Sequence, residues 1–168
     1  MGLSPLDEEV RDLEKARTCA FQASYHLIWA IKYRRKVLVG SVEVRLVEVL
    51  KMIAENHSYQ LLAARVHDGD RVHLFVSVPP KVCIPAMVRV FKCVSAQLLF
   101  NEFPQLRRQL WGGHLWSDGY AVRTAGVVTS EKIEEYINRV LLRMLAAEAA
   151  SSSLETSRQY FSHEKLKN

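Results

Sequence analysis

Cysteine is scarce in this sequence, and its placement excludes two kinds of small, cross-linked fold. The 168 residues include three cysteines, Cys19, Cys83 and Cys93. An odd number without a CxxC spacing argues against a disulfide framework and against a zinc knuckle, and it suits a reducing compartment. We therefore expect a cytoplasmic protein without structural disulfides.

Long hydrophobic stretches are also missing, and so are internal repeats. No apolar run approaches the ~18 to 20 residues that cross a membrane, and the acidic first 15 residues contain no apolar segment. We therefore expect neither a membrane span nor a signal peptide. The composition of the whole sequence, 49% hydrophobic and 24% charged, is typical of a globular protein, and its length predicts one domain. We predict an N-terminal extension over residues 1–20, a domain over 21–148 and a tail over 149–168.

The positive charge is modest in total but unevenly distributed. The sequence contains 23 basic and 18 acidic residues, a formal net charge of +5. Residues 21–51 and residues 81–123 each contain six basic and two acidic residues. Aromatic side chains such as Tyr33, Phe103, Trp111 and Trp116 lie among these cations, as in proteins that bind single-stranded nucleic acid. A basic surface that is merely solvated has the same composition, so charge alone leaves both interpretations open.

The hydrophobic pattern predicts alternating strands and helices. Runs of β-branched and aromatic residues indicate strands, whereas apolar residues three and four apart indicate helices. Asp68-Gly69-Asp70 is a tight-turn signal between two of the strands. The predicted strands cover residues 21–32, 59–66, 71–78 and 120–128; the predicted helices begin at Ser41 as a cap, at Pro85, and at Thr129 or Ser130.

The predicted order, β-α-β-β-α-β followed by an extra helix, corresponds to the ferredoxin-like split β-α-β arrangement. We therefore predict an α+β fold in which two helices cover one face of an antiparallel sheet. The opposite face would then be available for function. Many unrelated activities use this fold, so the fold does not identify the activity.

Two histidines and an arginine are predicted to lie on that opposite face. Because strand side chains alternate, Arg71 and His73 point to one side while Val72 points to the core. If the first and third strands are neighbours, His26 lies close to His73. A strand histidine is more often a hydrogen-bonded structural residue than a ligand, so the pattern alone leaves both roles open.

Tyr136 lies on the last predicted helix, at the margin of its apolar stripe. Its ring can belong to the core with its hydroxyl in water. A tyrosine can also act as a nucleophile that attacks phosphorus. Such chemistry requires a metal ion or cations that offset the phosphate charge.

Three segments resemble the insertion-sequence-200-like transposases, the small single-tyrosine members of the HUH endonuclease superfamily. They are Tyr25 to Leu38, Asp70 to Lys81 and Phe103 to Ile137. The resemblance runs in order from about residue 21 to residue 146, about three-quarters of the chain. It implies a homodimer with a composite active site, and a substrate of single-stranded DNA with hairpins near the element ends. It also implies that Tyr136 attacks a DNA phosphate, leaving a 5′-phosphotyrosine and a free 3′-OH.

The family's metal motif is incomplete in this sequence. The resemblance implies Mg²⁺ or Mn²⁺ held by two strand histidines and by a Gln or Asn about one turn after the tyrosine. His73 matches the second histidine, but Arg71 stands at the first position, and a guanidinium cannot bind a cation. Arg139 and Val140 stand where the third ligand is expected. Two of the three expected ligands are therefore absent.

Two explanations of this departure remain. Arg71, with Arg139, can replace the metal ion and hold the phosphate directly, because arginine binds phosphate oxygens in a bidentate manner. Alternatively, the chain binds single-stranded or hairpin DNA without cleaving it. A small-ligand or assembly domain without chemistry explains neither Tyr136 nor the basic residues. The side chains predicted to contact DNA are Lys32, Arg34, Arg35, Lys36, Arg71, Lys92, Arg107, Arg108 and Arg123.

Overall fold

The computed structural model describes residues 13–15, 20–125 and 135, and these residues form the structure discussed below. The chain divides into two compact units, residues 1–128 and residues 129–168. Apart from residue 135, the helix predicted from Thr129 or Ser130 lies outside the described residues. The predicted nucleophile Tyr136 and the predicted tail over 149–168 also lie outside them.

The described residues form strands, helices and two short 3₁₀ turns. The turns are Lys32–Arg34 and Trp111–Gly113. The strands are β1 (Glu14–Lys15), β2 (Ala20–Phe21), β3 (Ser24–Ala30), β4 (Gln60–His67), β5 (Arg71–Ser77) and β6 (Ala121–Ala125). The helices are α1 (Ser41–Asn56), α2 (Ile84–Glu102) and α3 (Gln105–Gln109).

The main sheet contains four strands in the order β4-β5-β3-β6, and every neighbouring pair is antiparallel. The chain order β3-α1-β4-β5-α2-β6 over this sheet is the ferredoxin-like arrangement. The predicted α+β fold is therefore confirmed. Strand β3 lies in the middle, so residues on β3 are within reach of both β5 and β6. A separate two-stranded sheet joins β1 to β2.

The hydrophobic core lies between α1, α2 and one face of the main sheet. On the sheet, Leu27 of β3 pairs with Leu74 of β5, and both are completely buried. From the helices, Leu46, Leu50, Phe91 and Leu99 belong to the same buried cluster. Because alternate strand residues supply this core, the remaining residues of β3 and β5 must face the other side of the sheet.

Helix details differ from the prediction where local chemistry overrides periodicity. The predicted cap at Ser41 is wrong, since Gly40 precedes the helix with φ 58° and no side chain caps α1. A left-handed backbone suits glycine, which has no Cβ. For α2 the apolar spacing predicts a core face of Met87, Val90, Phe91, Val94 and Leu98. Met87 and Phe91 are buried, and the buried face continues through Ser95 and Leu99. Val90, Val94 and Leu98 are half-buried instead.

The loop between α3 and β6 is fixed to α2 by polar contacts. Lys92 Nζ donates to the carbonyl oxygens of Ser117, Asp118 and Gly119 at 3.0, 3.3 and 2.7 Å. Nearby, Trp116 Nε1 donates to Ser95 Oγ at 3.0 Å, and the Trp116 ring is buried. Burial lowers the pKa of Lys92, although Asp118 opposes this effect. Lys92 and Trp116 are therefore engaged within the protein.

We predict that Lys92→Met lowers the free energy of unfolding by about 1 to 2 kcal/mol, because three carbonyl oxygens lose a charged donor. Urea denaturation measures the change. Arg89→Met is the matched control, since Arg89 is exposed on the same helix, and it should change stability by less than about 0.5 kcal/mol. Equal effects of the two substitutions would contradict this role for Lys92.

Candidate functional site

Polar side chains gather on the sheet face opposite the helices. On β5 these are Arg71, His73 and Ser77, with Phe75 between the last two. Residues that pair across strands point to the same face, so His26 of β3 lies between Phe75 and Arg123 of β6. From β4, Arg65 pairs with His73 and His67 pairs with Arg71. The site therefore contains three histidines and several arginines.

A buried histidine pair forms the centre of this face. His26 Nε2 lies 3.1 Å from His73 Nδ1, within hydrogen-bonding distance, and each side chain is 1% exposed. The His26 ring also stacks on Phe75, with ring centroids 4.2 Å apart. The predicted proximity of His26 and His73 is thus confirmed by the pairing of β3 with β5.

Both histidines are neutral at neutral pH. Burial lowers the pKa of His26 to about 3, and the charges of His73 and Arg123 act in the same direction. Burial also lowers the pKa of His73 to about 4, with smaller effects from His67 and Arg71. In a neutral pair, one imidazole donates a hydrogen bond and the other accepts it.

Arg71 takes part in a chain of ion pairs at the turn between β4 and β5. Its Nη2 donates to Asp68 Oδ2 at 3.0 Å and its Nε donates to Asp70 Oδ1 at 3.2 Å. The other oxygen of Asp70 accepts from Arg34 Nε at 2.6 Å. Arg71 and Asp70 are 6% and 3% exposed, so this pair is buried. The positive charge of Arg71 is therefore compensated by two carboxylates.

The described residues do not fit the Mg²⁺ or Mn²⁺ site that the family motif implies. Among them, no group of three or more His, Cys, Asp or Glu residues is arranged to hold a metal ion. His73 Nδ1 is paired with His26, whereas His73 Nε2 is buried and has no hydrogen-bond partner among the described residues. Nε2 is therefore the nitrogen of His73 that could bind a ligand. Its expected companion position carries the Arg71 guanidinium, which already binds Asp68 and Asp70. His67 Nε2 lies 3.3 Å from Asp68 Oδ2, outside hydrogen-bonding geometry.

Most of the cations predicted to contact DNA have partners inside the protein. Lys32 Nζ binds the exposed carboxylate of Asp118 at 3.2 Å. The guanidinium of Arg107 lies over the Phe100 ring, 4.8 Å from its centroid. Arg34, Arg71 and Lys92 have the contacts described above. Arg123 is exposed and pairs across the sheet with His26.

Three of the predicted cations come together in one pocket. Arg35, Lys36 and Arg108 are all exposed, and with Val37 and Gln109 they line a pocket of about 460 Å³. None of the described residues that line it is acidic. The two basic segments of the sequence therefore meet at this point of the fold.

The backbone beside this pocket is held in an unusual conformation. Tyr33 and Arg34 have φ values of 59° and 54°, which side chains other than glycine rarely adopt. The Tyr33 ring is 60% exposed, and Lys32 Nζ lies 5.8 Å from its centroid. Because Arg34 binds buried Asp70, that ion pair supports the strained turn. Sequence reasoning missed this contact, although the two acidic residues flanking Gly69 were visible as a turn signal.

Comparison with known proteins assigns the chain to the transposases. The family model described as "Transposase IS200 like" matches residues 19–140. The chain therefore belongs to the IS200-like transposase family, which moves DNA by transposition, and the resemblance seen in the sequence is confirmed.

Individual relatives agree with this assignment. The chain is 39% identical over 126 residues to the ISDra2 transposase TnpA of Deinococcus radiodurans, covering 75% of this chain and 89% of the relative. It is 28% identical over 121 residues to the transposase for insertion sequence element IS200 of Salmonella typhimurium, covering 72% and 78%. A crystal structure assigned as a transposase of Deinococcus radiodurans R1 superposes with a TM-score of 0.64 and 38% identity, covering 76% of this chain and 97% of that one. In the part of this chain that the structure describes, none of the helices is both long and apolar enough to span a bilayer.

The buried ion pair of Asp70 should contribute more to stability than an exposed one. We predict that Asp70→Ala lowers the free energy of unfolding by about 3 kcal/mol, because Arg71 loses a buried partner. Asp118→Ala removes the partner of Lys32, but that carboxylate is 97% exposed and its loss should cost less than about 1 kcal/mol. Chemical denaturation of both variants tests the difference, and equal losses would contradict it.

Proposed function

We propose that this protein is a transposase that acts on single-stranded DNA, with hairpins near the element ends as recognition marks. The observation that carries the proposal is the family match over residues 19–140, which spans both the His73 strand and Tyr136. The polar face around His26 and His73 and the basic pocket of Arg35, Lys36 and Arg108 support it. The proposal includes a homodimer with a composite active site.

In the proposed reaction, the Tyr136 hydroxyl loses its proton and its oxygen attacks a DNA phosphorus. The bond between phosphorus and the 3′ oxygen breaks, and that oxygen takes up a proton. The products are a 5′-phosphotyrosine and a free 3′-OH, so the ester keeps the energy needed for a second 3′-OH to rejoin the strand. Cations near the phosphate would stabilise the charge that develops on its oxygens.

A divalent metal ion would ordinarily supply that stabilisation, but the described residues do not fit one. We therefore assign no step to a metal ion. Arg123 is the exposed cation that pairs across the sheet with His26, and it is the candidate to contact the phosphate on this face. Arg71 is a weaker candidate, because Asp68 and Asp70 already balance its charge.

One observation favours a second candidate function, binding of single-stranded or hairpin DNA without cleavage. The first position of the metal motif is occupied by Arg71, whose side chain is 7% exposed and bound to two carboxylates. A side chain held in this way is poorly placed to take over the role of an ion at a reacting phosphate. In this case the basic pocket and the fold would be retained for DNA binding alone.

We predict a covalent protein–DNA adduct when the protein is incubated with a labelled single strand that carries the end hairpin. Denaturing gel electrophoresis, with and without Mg²⁺ or Mn²⁺, detects the adduct. It should be absent in Tyr136→Phe and retained in Tyr120→Phe, which removes the hydroxyl of a tyrosine that the structure shows as exposed. Tight binding without an adduct under every metal condition would contradict cleavage and support the second candidate. An adduct that persists in Tyr136→Phe would refute the assigned nucleophile.

We also predict that Arg71→His raises the affinity of the protein for Mn²⁺, because it restores an imidazole two residues before His73. Titration calorimetry with Mn²⁺ alone measures the binding. Arg71→Gln is the control, since it loses the same ion pairs without adding a metal ligand. Equal Mn²⁺ affinity in the wild-type protein and in Arg71→His would show that Arg71 does not prevent metal binding.

A further inference from the structure

We propose that the pocket lined by Arg35, Lys36 and Arg108 is a binding site for the backbone phosphates of the DNA strand. This inference rests on the proposed function, because it names the side chains that hold the DNA. It separates these three cations from Lys32, Arg34, Arg71, Lys92 and Arg107, which have partners within the protein.

The fold builds the pocket by anchoring each basic segment in the core. Val37 and Leu38 follow Arg35 and Lys36 directly and are buried, and Leu38 N donates to Gly69 O at 2.8 Å. Leu106 on α3 and Leu110 directly after that helix are each 2% exposed and flank Arg108. All four apolar residues belong to one buried cluster. The cations between them are therefore held at the surface by the same core.

The charges in the pocket are not neutralised by other described residues. Arg35, Lys36 and Arg108 form no ion pair with any residue in the described part of the chain. Arg107, the neighbour of Arg108, instead lies against the Phe100 ring. Three like charges around one concave surface repel each other, and an anion bound between them relieves that repulsion.

A phosphodiester fits the chemistry and the size of the pocket. Guanidinium groups present paired N–H donors that match two phosphate oxygens, and lysine adds a point charge. A pocket of about 460 Å³ has room for a phosphate together with part of its sugar. Phosphate contacts of this kind hold a strand without reading its bases.

The position of the pocket connects it to the polar face of the sheet. Arg35 directly follows Arg34, whose guanidinium binds Asp70, and Asp70 in turn binds Arg71. Directly before Arg34, the exposed Tyr33 ring offers a surface on which a DNA base can stack. A DNA strand bound in the pocket would thus lie beside the 3₁₀ turn that Asp70 connects to Arg71 at the start of β5.

The test compares two variants with the same change in net charge. One replaces Arg35, Lys36 and Arg108 with Gln; the other replaces Lys51, Lys81 and Arg89, three exposed cations outside the pocket, with Gln. Fluorescence anisotropy with a labelled hairpin that has a single-stranded flank measures the affinity over a range of salt concentrations. The single variant Arg108→Gln serves as a milder change in the same pocket.

We expect the pocket variant to lose at least about tenfold in affinity and to reduce the slope of log K against log salt by about 2, since each lost phosphate contact lowers the slope by ~0.7 to 0.9. Arg108→Gln should reduce this slope by about 1, and the control variant should reduce it by less than about 0.5. If the pocket and control variants bind alike while the wild-type protein binds DNA, this inference is wrong and the proposed function stands. If the wild-type protein does not bind the hairpin, both fail.

Discussion

Asp70 joins two parts of the structure that are far apart in the sequence, the turn that follows β3 and the start of β5. Its side chain accepts from Arg34 in the 3₁₀ turn and from Arg71 at the start of β5. Its backbone carbonyl accepts from Ile31 N at the end of β3, at 2.7 Å. Because Asp70 is buried, its charge must be matched by cations. The conformation of the 3₁₀ turn Lys32–Arg34 and the position of Arg71 therefore depend on this one residue.

This arrangement explains why Arg71 differs from the other basic residues. A histidine in its place would lie two residues before His73 on the same face, as the family motif requires. The arginine instead forms buried ion pairs with Asp68 and Asp70. His73 is left with a neutral histidine neighbour rather than a second ligand. The chain thus keeps the scaffold of an IS200-like transposase while the described residues lack its metal site.

The strand positions and the histidine pair could be predicted from the sequence, because strand alternation and element order decide them. His26 and His73 are brought together by the pairing of β3 with β5, which the fold class requires. Side-chain partners could not be predicted in this way. The sequence shows Asp70 as a turn residue, and only the tertiary structure reveals that Arg34 reaches it from 36 positions away.

Periodicity failed where packing depends on neighbouring elements. Ser95 lies on the buried face of α2 because its hydroxyl donates to the Phe91 carbonyl and accepts a hydrogen bond from Trp116 Nε1. A polar residue gives no signal of this role in a hydrophobic pattern. Likewise, nothing in the composition distinguishes Lys92, which binds three loop carbonyls, from Arg108, which faces the pocket. The helix that carries Tyr136 remains a prediction, because it lies outside the described residues.

The DNA affinity of Asp70→Asn shows whether Asp70 supports the DNA-binding turn, because two physical effects predict opposite results. Removing an acidic charge makes the protein more positive, and electrostatics alone would then strengthen DNA binding. We predict weaker binding, since Arg34 loses its charged, buried partner and the turn that presents Arg35 and Lys36 loses its support. Asp118→Asn, which removes an exposed carboxylate, should leave the affinity unchanged or raise it. If Asp70→Asn instead binds DNA more tightly than the wild-type protein, as tightly as Asp118→Asn, Asp70 does not have this supporting role.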